Sequence, residues 1–161
     1  MEEGLIDTTR SIHVGIRGSV NDHADILEDA KLGIETVFCS DLDDHGFDWV
    51  AEKIRARAGK GPVYVSVDID VADPAFAPGT GTPEVGGFTS RELIRLLRSM
   101  KGLRVVSGDI VEVAPAYDHA DITAQLAANV AFEILSLVAV ARLESGEGAR
   151  ELPSETGKES T

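Results

Sequence analysis

Short runs of β-branched and other apolar residues alternate with stretches of helical periodicity along this chain of 161 residues. The predicted strands are residues 12–16, 34–38, 62–68 and 103–113, and the predicted helices are residues 24–32, 47–58, 89–100 and 122–143. Parallel strands need crossover connections, which helices of this length supply. We therefore expect an α/β fold with a parallel sheet covered by helices on both faces.

The composition suits one soluble domain, because 43% of the residues are hydrophobic and 27% are charged. We assign residues 1–143 to that domain. Residues 144–161 are rich in Gly, Glu and Ser and contain almost no apolar side chain. We expect them to form a disordered acidic tail.

The net charge of −13 argues against nucleic acid and anionic membranes as partners, because both attract basic patches. No apolar run approaches the roughly 20 residues that span a membrane. The first residues carry glutamates where a signal peptide would carry positive charge, so the expected location is the cytoplasm. Cys39 is the only cysteine, and we expect it to be a small buried hydrophobic residue.

Two predicted helices have different apolar patterns. In residues 89–100, one apolar stripe consists of Leu93, Ile94, Leu97 and Met100. Charged side chains take the other side, so this helix should lie on the sheet with one face in water. The helix at residues 122–143 is apolar nearly all round, which indicates burial between the sheet and another element or another subunit.

Two carboxylates, Asp68 and Asp70, stand at the end of the third predicted strand. Because side chains alternate along a strand, both should project from one face at the carboxyl edge of the sheet, where open α/β folds bind ligands. Such close negative charges repel each other unless a proton or a cation lies between them. Their oxygens suit Mg²⁺, Ca²⁺ or Mn²⁺, and the alternative is a solvated strand end that leads into a turn.

A loop rich in Gly, Pro and Thr follows at residues 73–87. Its prolines restrict φ, whereas its glycines permit conformations closed to other residues. The loop should therefore be rigid and shaped, and rigid loops at strand ends usually hold a site.

This segment resembles the signature of the ureohydrolase family, which includes arginase and agmatinase. The matching strings are SVDID at 66–70, DP at 73–74, APGTGTPE at 77–84 and GG at 86–87. Further similarity lies in GLID at 4–7, VGIRG at 14–18 and DIVEVAPAYD at 109–118, so the resemblance covers about residues 4–140. The PGTGTPE form is more similar to agmatinase and its guanidino-acid relatives than to arginase.

The resemblance implies a three-layer α/β/α sandwich and two Mn ions that activate water for attack on a guanidinium carbon, with release of urea. By motif position it implies that Asp68 bridges the two ions and that Asp70 binds one of them. Glu112 would hold the substrate guanidinium through a charge-assisted pair, and Thr82 and Glu84 would line the pocket. Agmatine, which yields putrescine and urea, is the first expected substrate, and guanidinobutyrate or a similar guanidino acid is the next.

The family's other metal ligands come from Gly-Gly-Asp-His and Asp-Ala-His-x-Asp motifs, and neither string occurs in this sequence. A superficially similar string, NDHAD, opens a helix, so we interpret Asn21 or Asp22 as its cap. We interpret His119 as a surface or cap residue, and His13 and His45 match no ligand pattern. We therefore expect this chain to be the C-terminal half of such an enzyme, to bind metal weakly and to be inactive alone. The full-length form should be a homo-oligomer.

The competing interpretation is a catalytically incomplete remnant with a structural or oligomer-partner role. A nucleotide-binding α/β module is a third class, but no strand is followed by a Gly-x-Gly-x-x-Gly string or a P-loop that opens a helix. Arg17, within VGIRG, could stabilise a neighbouring loop or a subunit contact, and the sequence leaves that choice open.

Overall fold

Strands and helices alternate in the computed structural model, which describes residues 3–19 and 23–146 and gives the backbone alone at residues 23–26. Within these residues the strands are β1 (Ile12–Ile16), β2 (Glu35–Phe38), β3 (Pro62–Asp68) and β4 (Arg104–Val111). The helices are α1 (His23–Leu32), α2 (Cys39–His45), α3 (Phe47–Ala58), α4 (Ser90–Ser99) and α5 (Ile122–Glu144). Short 3-10 turns cover Thr8–Arg10, Ile69–Val71 and Pro115–Tyr117. All the predicted strands and helices are confirmed, with their ends shifted by two residues at most.

Helix α2 is not predicted from the sequence, because its seven residues are too few and too polar to show apolar periodicity. The helix begins where the Asp41 carboxylate accepts a hydrogen bond from the Phe38 N–H at 2.8 Å. It ends at Gly46, whose φ of 80° redirects the chain into α3. Local caps at both ends therefore define this helix.

The strands pair in parallel, as expected, but they form two separate ladders within the described residues. Strand β1 pairs with β2 from Ile12 opposite Glu35 onward. Strand β3 pairs with β4 from Pro62 opposite Arg104 to Asp68 opposite Val111. The α/β class and the parallel direction of the strands are therefore confirmed, and within the described residues the strands form two ladders.

Helices α4 and α5 cover one face of the β3–β4 ladder and form the main core with it. Val65 and Val67 of β3 and Val105 of β4 are buried there. Each fully buried side chain of this size contributes roughly 1.5–3 kcal/mol relative to exposure. Gly108 lets β4 approach α5 closely, since a Cβ there would lie 2.9 Å from the Ile134 Cγ2 atom. The core thus fixes the strand end that carries Asp68.

Helix α4 matches its predicted pattern, with one addition. The buried residues on it and just after it are Leu93, Leu96, Leu97 and Met100, whereas Ile94 is partly buried. A capping box fixes its start: the Thr89 hydroxyl oxygen accepts from the Glu92 N–H at 3.2 Å, and the Glu92 carboxylate accepts from the Thr89 N–H at 2.8 Å. The wet face and the buried face are therefore as expected.

Helix α5 is apolar on both sides, but the described chain covers only one of them. Its buried stripe consists of Thr123, Leu126, Val130, Ile134, Leu137 and Ala141. On the opposite side Phe132, Leu135 and Leu143 are 66%, 67% and 69% exposed. Within the described residues β4 and α4 pack against one side, and the expected cover of the other side by a further element or another subunit stays a prediction.

The expectation that no segment could span a membrane also needs correction. Helix α5 is long and apolar enough for a crossing by length and composition, with a mean hydropathy of 1.8 over an 18-residue window. Core helices of soluble proteins meet the same criteria, and the buried stripe of α5 packs into the core formed with β4 and α4.

Three smaller expectations have different outcomes. Cys39 is partly exposed, not fully buried, and its Sγ donates a hydrogen bond to the Gly15 carbonyl at 3.3 Å. The helix cap predicted at Asn21 or Asp22 lies outside the described residues. Of the predicted tail, Glu144 belongs to α5 and residues 147–161 lie outside the described part of the chain.

Candidate active site

Asp68 and Asp70 lie together at the carboxyl end of β3, in a different geometry from the one predicted. The strand ends at Asp68, and Asp70 belongs to the following 3-10 turn, which is anchored by Ile69 with 0% exposure. The Asp68 carboxylate accepts a hydrogen bond from the Asp70 N–H at 3.1 Å. The prediction that strand alternation aligns the two side chains is therefore wrong, and a local Asx-type turn brings them together instead.

Asp68, Asp70 and Glu112 lie close enough for their negative charges to repel one another. Burial raises the pKa of Asp68 above its ordinary value of 3.8, and the charges of Asp70 and Glu112 raise it further, against a lowering by the Asp70 N–H bond. Glu112 therefore acts on the same site as the two aspartates. A cation among these carboxylates would remove the repulsion.

Glu112 follows the last residue of β4, beside the end of β3, because Val111 is the register partner of Asp68. Its backbone has a φ of 61°, in the left-handed region that non-glycine residues rarely adopt. Such a conformation costs about 1–3 kcal/mol and is typical of functional sites. The Glu112 Oε2 atom lies 3.9 Å from the position that a Cβ on Gly81 would take, so the Gly/Pro/Thr loop passes next to it.

The loop reaches the acidic cluster through Thr82, whose hydroxyl donates a hydrogen bond to the Asp70 Oδ2 atom at 2.9 Å. Glu84 has a different neighbour, since its carboxylate lies 2.9 Å from the position of a Cβ on Gly18. The structure therefore brings Asp68, Asp70, Glu112 and Thr82 together, and it places the Glu84 side chain beside the segment after β1.

Hydrogen bonds to Asp73 and to Thr123 hold the loop in its shape. The Asp73 carboxylate accepts from the N–H groups of Ala75 at 2.9 Å and Gly86 at 2.8 Å. These bonds lower the pKa of Asp73 below its ordinary value of 3.8. At the middle of the loop, the Gly79 N–H donates to the Thr123 hydroxyl at 2.7 Å. The expected rigid loop is thus connected to itself and to the start of α5.

Asp118 links this region to α5, a role that we did not predict from the sequence. Its carboxylate accepts from the N–H groups of His119 at 2.9 Å, Thr123 at 3.0 Å and Ala124 at 2.9 Å. Burial raises its pKa, but the bonds from Thr123 and Ala124 outweigh that effect and lower it to about 2. The signal was available, since an aspartate just before a helix is a typical cap.

One buried polar atom in the loop lacks a partner. Thr80 is 3% exposed, and its Oγ1 atom has no hydrogen bond to any described residue. Buried hydroxyl groups are normally satisfied, and an exception at a candidate site is consistent with a missing ligand or water contact.

The described histidine side chains are exposed or have partners outside the acidic cluster. His119 is exposed, His13 pairs with Asp29 at 2.7 Å, and the His45 ring stacks on Trp49 with centroids 4.4 Å apart. Among the side chains that the structure describes, no group of three His, Cys, Asp or Glu residues has the geometry to hold a metal ion. Carboxylate oxygens are the type of ligand that a hard divalent cation prefers.

Fold and site together define an arginase-like α/β protein with an acidic cluster at the carboxyl end of parallel strands. The sequence profile of the Arginase family matches residues 1–136. The chain is 46% identical over 137 residues to "Putative agmatinase 1" of Schizosaccharomyces pombe, and the match covers 85% of this chain and 35% of that protein. It is 44% identical to the guanidinopropionase of Pseudomonas aeruginosa, with 86% of this chain and 44% of that protein covered.

A solved structure shows the same similarity in three dimensions. The proclavaminate amidino hydrolase of Streptomyces clavuligerus superposes with a TM-score of 0.80 and 44% identity, over 87% of this chain and 45% of that one. The chain therefore belongs to the arginase family, and it spans less than half the length of these relatives.

Proposed function

We propose that this chain carries part of the active site of an amidinohydrolase that splits a guanidino compound into urea and an amine. The observation that carries the proposal is the convergence of Asp68, Asp70 and Glu112 with the Thr82 hydroxyl at one strand end. Relatives named agmatinase, guanidinopropionase and proclavaminate amidino hydrolase support this class of substrate. Agmatine is the first candidate, and guanidinobutyrate or a similar guanidino acid is the second.

Asp68 and Asp70 would hold the metal, which we propose to be a pair of Mn ions in the complete site. Each of the two carboxylates would supply oxygen ligands to this metal. A bound divalent ion lowers the pKa of water and so supplies a nucleophile near neutral pH. Burial, and then the charges of Asp70 and Glu112, raise the pKa of Asp68, and a bound cation would favour its ionised form.

Glu112 would bind the substrate. A planar guanidinium pairs with a carboxylate through two parallel hydrogen bonds, which fixes the orientation of its central carbon. The position of Glu112 beside the two aspartates, with a strained backbone, suits such a role. Water adds to the guanidinium carbon, the C–N bond to the substrate chain breaks, and the amine leaves with a proton as urea forms.

Thr82 and Glu84 would shape the rest of the pocket. The Thr82 hydroxyl already donates to Asp70, so it would keep that carboxylate oriented toward the metal. Glu84 would form the pocket wall on the side of β1, where its carboxylate lies close to Gly18.

We further propose that the 161-residue chain alone releases no urea. Two aspartates supply two negative charges against the four positive charges of two divalent ions. In a complete form we expect a cytoplasmic homo-oligomer, and the exposed Phe132 and Leu135 on α5 are consistent with a partner surface. A remnant with a structural role remains the second candidate, supported by the small number of ligands.

A segment exchange tests the proposed function. The matching segment of the Streptomyces relative is replaced by this chain, and urea release is measured with agmatine, guanidinobutyrate and the host's own substrate in Mn²⁺. We expect turnover with at least one substrate, and none from the isolated chain. A folded chimera without any turnover, beside an active host, would favour the remnant instead. Mn²⁺ retention by the isolated chain, with turnover, would disprove its inactivity.

A further inference from the structure

Arg17 makes an unusual number of contacts for a side chain outside the acidic cluster. It follows directly after β1, and its guanidinium donates to five backbone carbonyls. The acceptors are the carbonyls of Gly15, Asp70, Ala72, Glu84 and Val85. Four of them belong to the turn and loop that carry Asp70, Thr82 and Glu84.

The bonds join both ends of that loop. Nη2 of Arg17 donates to the Asp70 carbonyl and, at 2.7 Å, to the Glu84 carbonyl. Nε donates to the Val85 carbonyl at 3.2 Å. Residues 70 and 84 are therefore held at one guanidinium, although 14 positions separate them in sequence.

The chemistry of arginine is required for this arrangement. Its planar group presents N–H donors in a fixed fork, whereas a lysine ammonium is a compact point with three donors. The surroundings are shaped for the larger group, since a Cβ on Gly87 would lie 2.7 Å from the Arg17 Nη2 atom.

We propose that Arg17 is a positioning residue for the candidate site, which fixes the backbone of Asp70 and of residues 84–85 and thereby the metal ligand and the pocket wall. The Thr82 to Asp70 hydrogen bond lies inside the segment that Arg17 closes, so loss of the Arg17 hydrogen bonds, which we call the Arg17 clamp, would also release that contact. The link to metal binding rests on the function proposed above, whereas the fixing of the loop can be measured without it.

The experiment compares Arg17→Gln and Arg17→Lys with a matched control, Arg57→Gln. Arg57 also donates to several backbone carbonyls, those of Thr8, Ser11 and Gly33, but it lies away from the loop. Amide hydrogen exchange of residues 70–88 and Mn²⁺ binding by electron paramagnetic resonance are measured on the full chain, together with thermal stability.

We expect the Arg17 variants to raise exchange in residues 70–88 by about tenfold, while exchange in α5 stays unchanged. We expect Mn²⁺ affinity to fall by about tenfold to a hundredfold, as for other residues that orient a ligand. Arg57→Gln should lower thermal stability and raise exchange near residues 8–11 without either effect at the loop. A purely structural role would move stability alone.

Unchanged loop exchange in folded Arg17 variants would overturn the proposal. Should both variants fail to fold, wild-type exchange in increasing urea decides the question through the Asp73 and Phe88 amides, which bond across the loop to Phe88 and Val71. If these amides exchange only when the whole chain unfolds, the Arg17 clamp is supported. If they exchange through a local opening of low free energy, it is contradicted. Failure of the proposed function would appear in the segment exchange described above, whereas loop exchange in the Arg17 variants tests the positioning role by itself.

Discussion

The loop at residues 70–88 and helix α5 are both ordered, but different interactions order them. The loop has almost no regular structure, and it is fixed by individual polar contacts such as those of Asp73 and Arg17. Helix α5 is fixed by its backbone hydrogen bonds and by one apolar stripe. A single replacement can therefore remove a large share of what orders the loop, whereas α5 should be sensitive on one side and tolerant on the other.

The largest expected effect concerns Asp68 and Asp70. In the chimera, Asp68→Asn and Asp70→Asn should each lower urea release by about a hundredfold or more, because each removes a charged metal ligand. Mn content after desalting should fall in parallel. Asp48→Asn is the control, since that aspartate is exposed and pairs with Arg95 on the surface. Normal turnover with a full Mn complement in both variants would disprove the metal assignment.

Glu112 should give a smaller and different loss. Glu112→Gln removes the charge-assisted pair with the guanidinium but no proposed ligand, so we expect a drop in kcat/KM of about tenfold to a hundredfold with Mn retained. Steady-state kinetics and metal analysis on the same chimera measure both. Loss of Mn instead would place Glu112 among the metal ligands. The control is Glu52→Gln, which changes an exposed residue on α3.

Adjacent residues of α5 test its two sides. Ile134 is 4% exposed and Leu135 is 67% exposed. Ile134→Ala should lower the free energy of unfolding by about 2–5 kcal/mol, because it leaves a cavity against β4. Leu135→Ala should change it by less than about 0.5 kcal/mol. Urea denaturation of the full chain measures both, and equal losses would mean that the outer side is also covered in solution.

The smallest expected effect is the pH dependence due to Asp118. Its folded pKa of about 2 lies below the ordinary value of 3.8, so its ionised form is the one that folding favours. The stabilisation should be complete above the ordinary pKa and disappear as the pH falls through the folded one. Thermal unfolding of the wild type and Asp118→Asn between pH 2 and pH 5 measures it. The variant should be less stable at pH 5, and the difference should shrink toward pH 2. A constant difference would contradict the assignment.

Regular structure was the most predictable part of the molecule. The strands at 12–16 and 62–68 and the helix at 47–58 match the predicted bounds, because β-branched runs and helical periodicity are local signals. Helix α2 was missed because caps, and not an apolar stripe, define it. The separation into two ladders was missed because strand pairing depends on contacts between distant segments.

The candidate site was predictable in its residues but not in its geometry. The proximity of Asp68 and Asp70 was expected from strand alternation, yet a hydrogen-bonded turn produces it. The left-handed backbone of Glu112 leaves no signal in residue type. The carbonyls that Arg17 contacts in the loop lie 53 to 68 positions away, so no local pattern could reveal them. The roles of Asp68, Asp70, Thr82, Glu84 and Glu112 stay predictions.

The division of the strands into two ladders also affects how the chain unfolds. Within the described residues, β1–β2 and β3–β4 share no ladder hydrogen bond. They are connected through a common apolar core and through side-chain hydrogen bonds, such as those of Arg17 to the Asp70 carbonyl and of Arg55 to the Lys101 carbonyl. Cooperativity between the two halves therefore depends on side-chain contacts and not on a shared strand ladder. Release of β1–β2, with β3, β4, α4 and α5 still folded, should be the lowest-energy partial unfolding of this chain.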